Sequence, residues 1–310
     1  ITHLKTFPLL MVFEMQNFDF CKRKAELKLG DDAGDGLDFS EFRFTFNIKK
    51  TNTPEPNAAI FNIYNVSREI YEKVKKEFSR ITLAAGYVNN YSLIFNGNIK
   101  QVIFYKENAT DTVLSIAAGD GDEAFLESFT NESLAAGATQ ADVFDAAKKE
   151  YSKNCVGDGF LAEFDNAPAP RGRVLFGRSR HYLTSAAKNS GCDFSTQDRK
   201  VQVVKSDEAL AGDVIVLNAK TGLIGTPALT NNGISATCLL NPLLKIGGLV
   251  KLNNNDIMQS LDNEAAAVDA DGVYRVFNIE YSGDSMGNDW YCALELLGFD
   301  EVACKVKDEQ

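Results

Sequence analysis

Catalysis and metal binding need a few side chains of the right kind held close together, and this chain offers few such sets. It has two histidines in 310 residues, His3 and His181. His181 stands beside Arg178 and Arg180, with Asp193 and Asp198 further on. A hydrolytic triad would also need an activated Ser or Cys in a sharp turn, and no G-x-S-x-G occurs. His181 therefore reads as part of a surface helix face. Asp120 and Asp122 in AGDGDEAF bring two hard oxygen donors together, as calcium requires, but the D-x-D-x-D-G spacing with its Glu at position 12 is missing. They read as a turn joining two structural parts, and GDDAGDG at Gly30 to Gly36 reads as an exposed loop. Among 43 acidic residues, no spacing singles out a carboxylate pair that could cut a glycosidic bond. The six cysteines, at 21, 155, 192, 238, 292 and 304, form no C-x-x-C and lie far apart in sequence. That disfavours a zinc site or a disulfide framework, and reduced, mostly buried thiols are expected. The sequence assigns no catalytic, cofactor-binding or metal-ligating residue.

What remains are candidate contact residues. RGRVLFGRSR, with Arg171, Arg173, Arg178 and Arg180, is the one basic concentration in a chain of net charge -11. It suits a phosphate or a partner's acidic surface, and equally a helix start whose arginines pair with internal acids. Gly247 and Gly248 interrupt an apolar run, which suggests a bulge or the close approach of another backbone. The acidic balance argues against gripping nucleic acid through phosphate contacts, a mode that needs a clustered basic face. Phe7 to Phe13, broken by Pro8, is too short to span a membrane and lacks a small-residue cleavage pattern. A soluble, unsecreted chain without membrane insertion is expected.

Three parts would have to position these residues. At 310 residues with 45% apolar content, the chain can fill two or three cores. Residues 17 to 118 read as strands almost throughout. Phe42, Phe44, Phe46 and Ile48 alternate with Arg43, Thr45, Asn47 and Lys49, giving one buried and one wet face. TNTPEPNAA is a loop, and strands are expected at Ala25 to Leu29, AIFNIYNV, Ile81 to Tyr87, Leu93 to Tyr105 and Thr112 to Ala118. Ser67 caps a short helix, Arg68 to Phe78. From Gly119 to Lys205 the composition predicts a small α+β module. It has a helix at Gln140 to Tyr151 behind Thr139, a loop from Gly157 to Gly172, a helix at Ser179 to Ser190, and a hairpin turning near Asp198. Beyond Asp207 come the runs Val214 to Leu217, Ile234 to Leu240 and Ile246 to Leu252, a loop from Asn253 to Asp271, and two final strands, Gly272 to Ser282 and Trp290 to Leu297. In the first of these, Val273, Arg275, Phe277, Ile279 and Tyr281 would share one face and Tyr274, Val276, Asn278 and Glu280 the other. The tail from Lys305 is charged and expected to fray.

Several pieces, in collinear order over about residues 20 to 298, resemble the baseplate hub proteins of tailed bacteriophages. They are FTFNIKKTNTPEPNAAIFNIYNVS, ITLAAGY, LIFNGNI and TVLSIAAGDGD; RGRVLFGRSRHYL with its hairpin; and VLNAKTGLIGTPALTNNGISATCLLNPLLKIGGLVKL with YRVFNIEYSGD and WYCALEL. The resemblance implies a mainly β (α+β) chain with two tail-tube-like β-barrels, residues 1–118 and 206–310, separated by the α+β module at 119–205. It implies a non-enzymatic virion part in the tail baseplate, assembled in the host cytoplasm. Three copies would form a pseudo-sixfold ring that joins the sixfold tail tube to a threefold spike, beside other baseplate proteins. DNA would pass through without specific binding, and part of the -11 charge would line that channel and repel phosphates. The alternatives are a spike-base protein of a contractile secretion apparatus and a tail-associated cell-wall hydrolase. The single Trp290 offers little of the aromatic platform a carbohydrate-binding module needs. By eye, the two strand-rich parts show no internal repeat, so a duplicated barrel rests on the resemblance.

Overall fold

Apolar alternation builds the first part of the chain. The structure, a computed structural model, describes residues 22–31, 35–154, 156–164, 166–230, 233–253 and 272–298. Strands β1 (Arg23–Gly30), β2 (Gly36–Asp38), β3 (Phe44–Thr51) and β4 (Ala58–Tyr64) lead to helix α1 (Arg68–Glu77). After it come β5 (Arg80–Tyr87), β6 (Asn90–Lys106) and β7 (Thr112–Gly119). In β3, Phe44, Phe46 and Ile48 are buried while Asn47 and Lys49 face water. The Ser67 hydroxyl accepts from the Ile70 N–H at 3.3 Å, and Val74 on α1 is fully buried. The expected boundaries here hold to within a few residues.

The middle of the chain packs around a second apolar cluster of its own, centred on Phe144, Tyr151, Leu183, Phe194 and Val201. It comprises α2 (Asp122–Glu127), β8 (Phe129–Leu134), α3 (Gln140–Ser152), β9 (Gly157–Leu161), β10 (Arg173–Arg178), α4 (Ser179–Asn189), β11 (Cys192–Gln197) and β12 (Lys200–Lys205). Thr139 and Asp142 cap α3 reciprocally. Four elements depart from the sequence reading, the first being α2, which begins at Asp122 in the stretch read as a turn. The stretch expected as a loop holds β9, which pairs in parallel with β12. RVLFGR is strand β10, antiparallel to β8, neither of which was anticipated, and the helix expected from Ser179 begins directly after it as α4. GDGFL and FTNESL lack apolar alternation, so only their partners reveal them.

The last part contains β13 (Ile215–Val216), β14 (Leu223–Thr230), β15 (Gly233–Leu239), β16 (Leu249–Lys251), β17 (Val273–Asp284) and β18 (Trp290–Gly298). Strand β14 was hidden by Gly225 and Pro227. It tolerates them because it is the outermost strand on its side, with an irregular register between Ile224 and Ala228. The run Ile246 to Leu252 is a strand only from Leu249. The even alternation expected for β17 also breaks. A bulge between Val276 and Asn278 shifts the pattern, so that Tyr274 and Val276 before it, and Ile279 and Tyr281 after it, are all buried. Most of the expected loop from Asn253 to Asp271, the tail from Lys305, the Phe7 to Phe13 piece, His3, and Cys21, Cys155 and Cys304 lie outside the described residues.

The two strand-rich parts form one 13-stranded sheet, in the order β14-β15-β18-β17-β3-β4-β7-β6-β5-β1-β2, with β16 and β13 branching from β17. Strand β17 makes the join. Its first residues, Val273 to Arg275, pair with β16, and Asn278 to Asp284 pair with β3. One apolar cluster runs under both parts. At the join Trp290 is fully buried, edge-on to Phe46 at 5.4 Å, and Gly283 sits between those two rings. The sheet also curls back on itself: Arg23 at the start of β1 donates to the Gly287 carbonyl at 2.7 Å and the Asn288 carbonyl at 2.8 Å, in the β17–β18 turn. The fold is mainly β, and among the described residues no helix is long and apolar enough to cross a membrane.

Candidate assembly surfaces

Residues paired across an antiparallel ladder point to the same side, so the wet face of the large sheet can be followed from strand to strand. One row runs Tyr291, Ser282, Asn47, Ile60, Ala117, Gln101, crossing β18, β17, β3, β4, β7 and β6. The row on one side holds Ala293, Glu280, Lys49 and Ala58, and the next Glu295, Asn278 and Thr51. The row on the other side carries Asp284, Thr45, Asn62, Ser115 and Ile103. The face is continuous across the β17–β3 join. It consists mostly of small uncharged side chains, with Glu280, Glu295, Lys49 and Asp284, the last paired with Arg43 at 2.8 Å, as the charges in these rows. Asn47 Nδ2 donates to Glu280 Oε1 at 2.6 Å, and Asn278 Nδ2 donates to the Glu295 carboxylate. No single residue marks this surface in the sequence. The only signal is the polar half of the alternation in β3 and β17.

The middle module is fastened to the sheet through a buried carboxylate. Asp198 and Arg199 form the two-residue turn between β11 and β12, both with positive φ (52° and 60°). Such a turn favours Asn-Gly. Here Asp120 compensates: its Oδ2 accepts from the Asp198 N–H and its Oδ1 from the Arg199 N–H, each at 2.6 Å, and Asn57 Nδ2 donates to Oδ2 at 3.1 Å. Lys50, nearly buried, donates to both Asp198 oxygens at 2.7 Å. Burial, and then the charge of Asp198, push the Asp120 carboxyl up to about 7. Asp122 pairs with Lys100 at 2.7 Å. Both aspartates that calcium might have drawn are thus committed within the chain.

The structure separates the four arginines. Arg178 donates to the Leu126 carbonyl, and Arg180 donates to the Phe125 carbonyl at 3.2 Å while lying over the Phe125 ring. These carbonyls end helix α2, where backbone acceptors lack helical partners. Arg171 and Arg173 are exposed. His181 is exposed on α4, and its neighbouring arginines answer carbonyls, not a nucleophile. Gly247 and Gly248 belong to a turn before β16. Gly247 has φ +82° and donates to the Val276 carbonyl at 2.9 Å, and Gly248 accepts from the Val276 N–H at 2.9 Å. Within the chain, Leu210 and Val204 lie near Gly247, and the Lys245 carbonyl lies near Gly248. Cys238 and Cys292, 54 positions apart, face each other across β15 and β18 as free buried thiols, and burial raises the Cys292 thiol well above its ordinary range.

A family model described as Baseplate hub gp41 matches residues 40–295. The chain belongs to this baseplate hub family. It is therefore a structural component of the phage tail baseplate. Solved structures share the hub's fold at very low identity. The 43 kDa tail protein of prophage MuSo2 from Shewanella oneidensis superimposes with a TM-score of 0.59 at 9% identity, over 89% of this chain and 97% of that one. A tail protein from Neisseria meningitidis gives a TM-score of 0.57 at 12% identity, over 89% and 96%. An Escherichia coli component of the type VI secretion system, described as structurally similar to phage T4 tail proteins gp27 and gp5, gives 0.55 at 11% identity, over 84% and 74%. No curated protein sequence matches the hub.

Proposed function

We propose that this hub acts without catalysis, as a ring of three copies joining a sixfold tail tube to a threefold spike, with the wet sheet face lining the DNA channel. The two strand-rich parts, 1–118 and 206–310, are read as the two tube-like units of each copy, and 119–205 as a peripheral module. The virion tail baseplate is its site, reached by assembly in the host cytoplasm beside tube, spike and other baseplate proteins. The observation that carries the reading is the continuous exposed face, mostly of small uncharged side chains with Ile60 and Ile103 among them, running from β15 to β6 across the β17–β3 join. A wall shared by two units of one chain would look like this. Its rows carry three carboxylates and one ammonium, so phosphates find few cations to hold them and DNA slides. The expected charge effect is thereby narrowed: in these rows carboxylates outnumber the ammonium, and the wall is weakly acidic instead of densely so. Native mass spectrometry of the purified chain tests the ring. Three chains of 34.0 kDa are expected in one particle, and a monomer at the same concentration counts against the reading.

A further inference from the structure

A cleft of 560 Å³ lies where the three parts of the chain meet, between the start of β6, strands β9 and β12 of the module, and the turn around Lys245. Its floor is apolar, with Ile94, Leu244 and Ile246 buried. Leu93 and Ile94 both reach it although they are neighbours on one strand, because Ile94 is the extra residue of a bulge in β6 opposite Leu83 and Ala84. Hydrogen bonds tie the walls together. The Tyr281 hydroxyl donates to the Leu244 carbonyl at 2.9 Å, Gln202 Nε2 to the Ile246 carbonyl at 3.0 Å, and Lys50 to Asp198 at 2.7 Å. The cleft is thus pre-formed, and its size and mixed lining are those of a ligand site.

Two features of this cleft are left unanswered. Its charged lining is Lys50, Asp198, Lys200 and Lys245, and Lys50 is held by Asp198, so the surplus is the two exposed ammonium groups of Lys200 and Lys245 in a chain of net charge -11. Neither makes an ion pair among the described residues. Lys245 also borders an adjoining groove that holds Asp213, but the cleft itself has no carboxylate besides Asp198. The second feature is a strand edge. Strand β9 is outermost in its three-stranded sheet, paired with β12 on one edge and with no described strand on the other. Gly159 and Phe160 of β9 line the cleft, where Phe160 is 39% and Leu93 44% exposed. An open edge takes an extended peptide as a further strand, and side chains alternate along such a strand, so that one set meets the apolar floor while the other meets the ammonium groups. We propose that this cleft binds an extended acidic segment of a partner protein, which adds to β9 and sets carboxylates against Lys200 and Lys245. Such a segment touches all three parts of the chain and braces the module against the sheet. The site does not depend on how many copies of the hub assemble.

The test uses the full chain and a fluorescent peptide of about eight residues, a common strand length, alternating Glu and Val. Anisotropy should show saturable binding, and a peptide alternating Lys and Val should not bind. Lys200→Glu and Lys245→Glu should each raise the dissociation constant roughly tenfold, the scale of one reversed ion pair, without changing the far-UV circular dichroism, since both side chains are exposed. The doubly reversed variant should take the Lys and Val peptide instead. Strand addition has its own readout: amide hydrogen exchange from Asp158 to Leu161 should slow when the acidic peptide is bound. An acidic peptide that does not bind, or that binds both lysine variants as tightly as the wild type, overturns the site. Charge-dependent binding with unchanged exchange along β9 overturns the strand addition.

Discussion

Replacing Asp120 loosens the module from the sheet. Asp120→Ala removes the acceptor for two N–H groups, those of Asp198 and Arg199, while the Asn57 amide keeps its bonds to the Thr196 carbonyl and Gln197 Oε1. Each buried donor left unmade costs roughly 1–3 kcal/mol, and relief of the buried carboxylate offsets part of this, so a net loss of about 3 kcal/mol is expected. Urea unfolding followed by Trp290 fluorescence reports the loss, and hydrogen exchange at Asp198 and Arg199 localises it to the turn. Asp120→Asn isolates the charge. The folded-state carboxyl is raised from 3.8 to about 7, so between those values the folded chain holds a proton that the unfolded chain has released. Stability from this group is therefore greatest below about 4 and falls as pH rises towards 7, by something on the order of 4 kcal/mol. The Asn variant cannot titrate, so the stability gap between wild type and variant should narrow or reverse from pH 4 to pH 8. A gap that widens over that range would show that the three donors hold Asp120 ionised, and would refute the reasoning.

Other substitutions test the sheet. Gly283→Ala places a Cβ within 2.5 Å of Phe46 Cζ and 2.8 Å of Trp290 Cε3, both on buried rings, and should cost about 1–3 kcal/mol in thermal unfolding. Gly247→Ala forces a side chain onto φ +82° and should cost about 1–2 kcal/mol, more than Gly248→Ala, by the same measurement. Changing both Glu280 and Glu295 to Lys turns one ammonium against three carboxylates into three ammonium groups against one carboxylate on the proposed wall. Ring mass should be unchanged while DNA ejection from reconstituted particles slows, with the delay shrinking as salt rises.

Much of this architecture was legible because burial writes a period into the chain. The alternation of Phe44, Phe46 and Ile48, the Ser67 and Thr139 caps, and the turn at Asp198 each follow from local physics. What stayed hidden depends on partners distant in sequence. Strand β9 exists because β12 lies beside it, β10 because β8 does, and the bulge at Val276 moves the buried face of β17 midway. The Asp120 latch was visible only as a pair of aspartates, because its partners lie 78 and 79 positions away. The arginine cluster was seen, but not its division into two residues that answer helix carbonyls and two that face outward. The glycines at 247 and 248 were singled out for a close approach, and their explanation within the chain is a turn.

The central claim is that three copies present the wet face of the large sheet to a channel. A cryo-electron microscopy map of the hub within a tail baseplate tests it most directly. The account predicts threefold density with Lys49, Glu280 and Ser282 on the inner wall of the bore. A ring whose inner wall is formed by other residues, or is dominated by Lys and Arg, would contradict it.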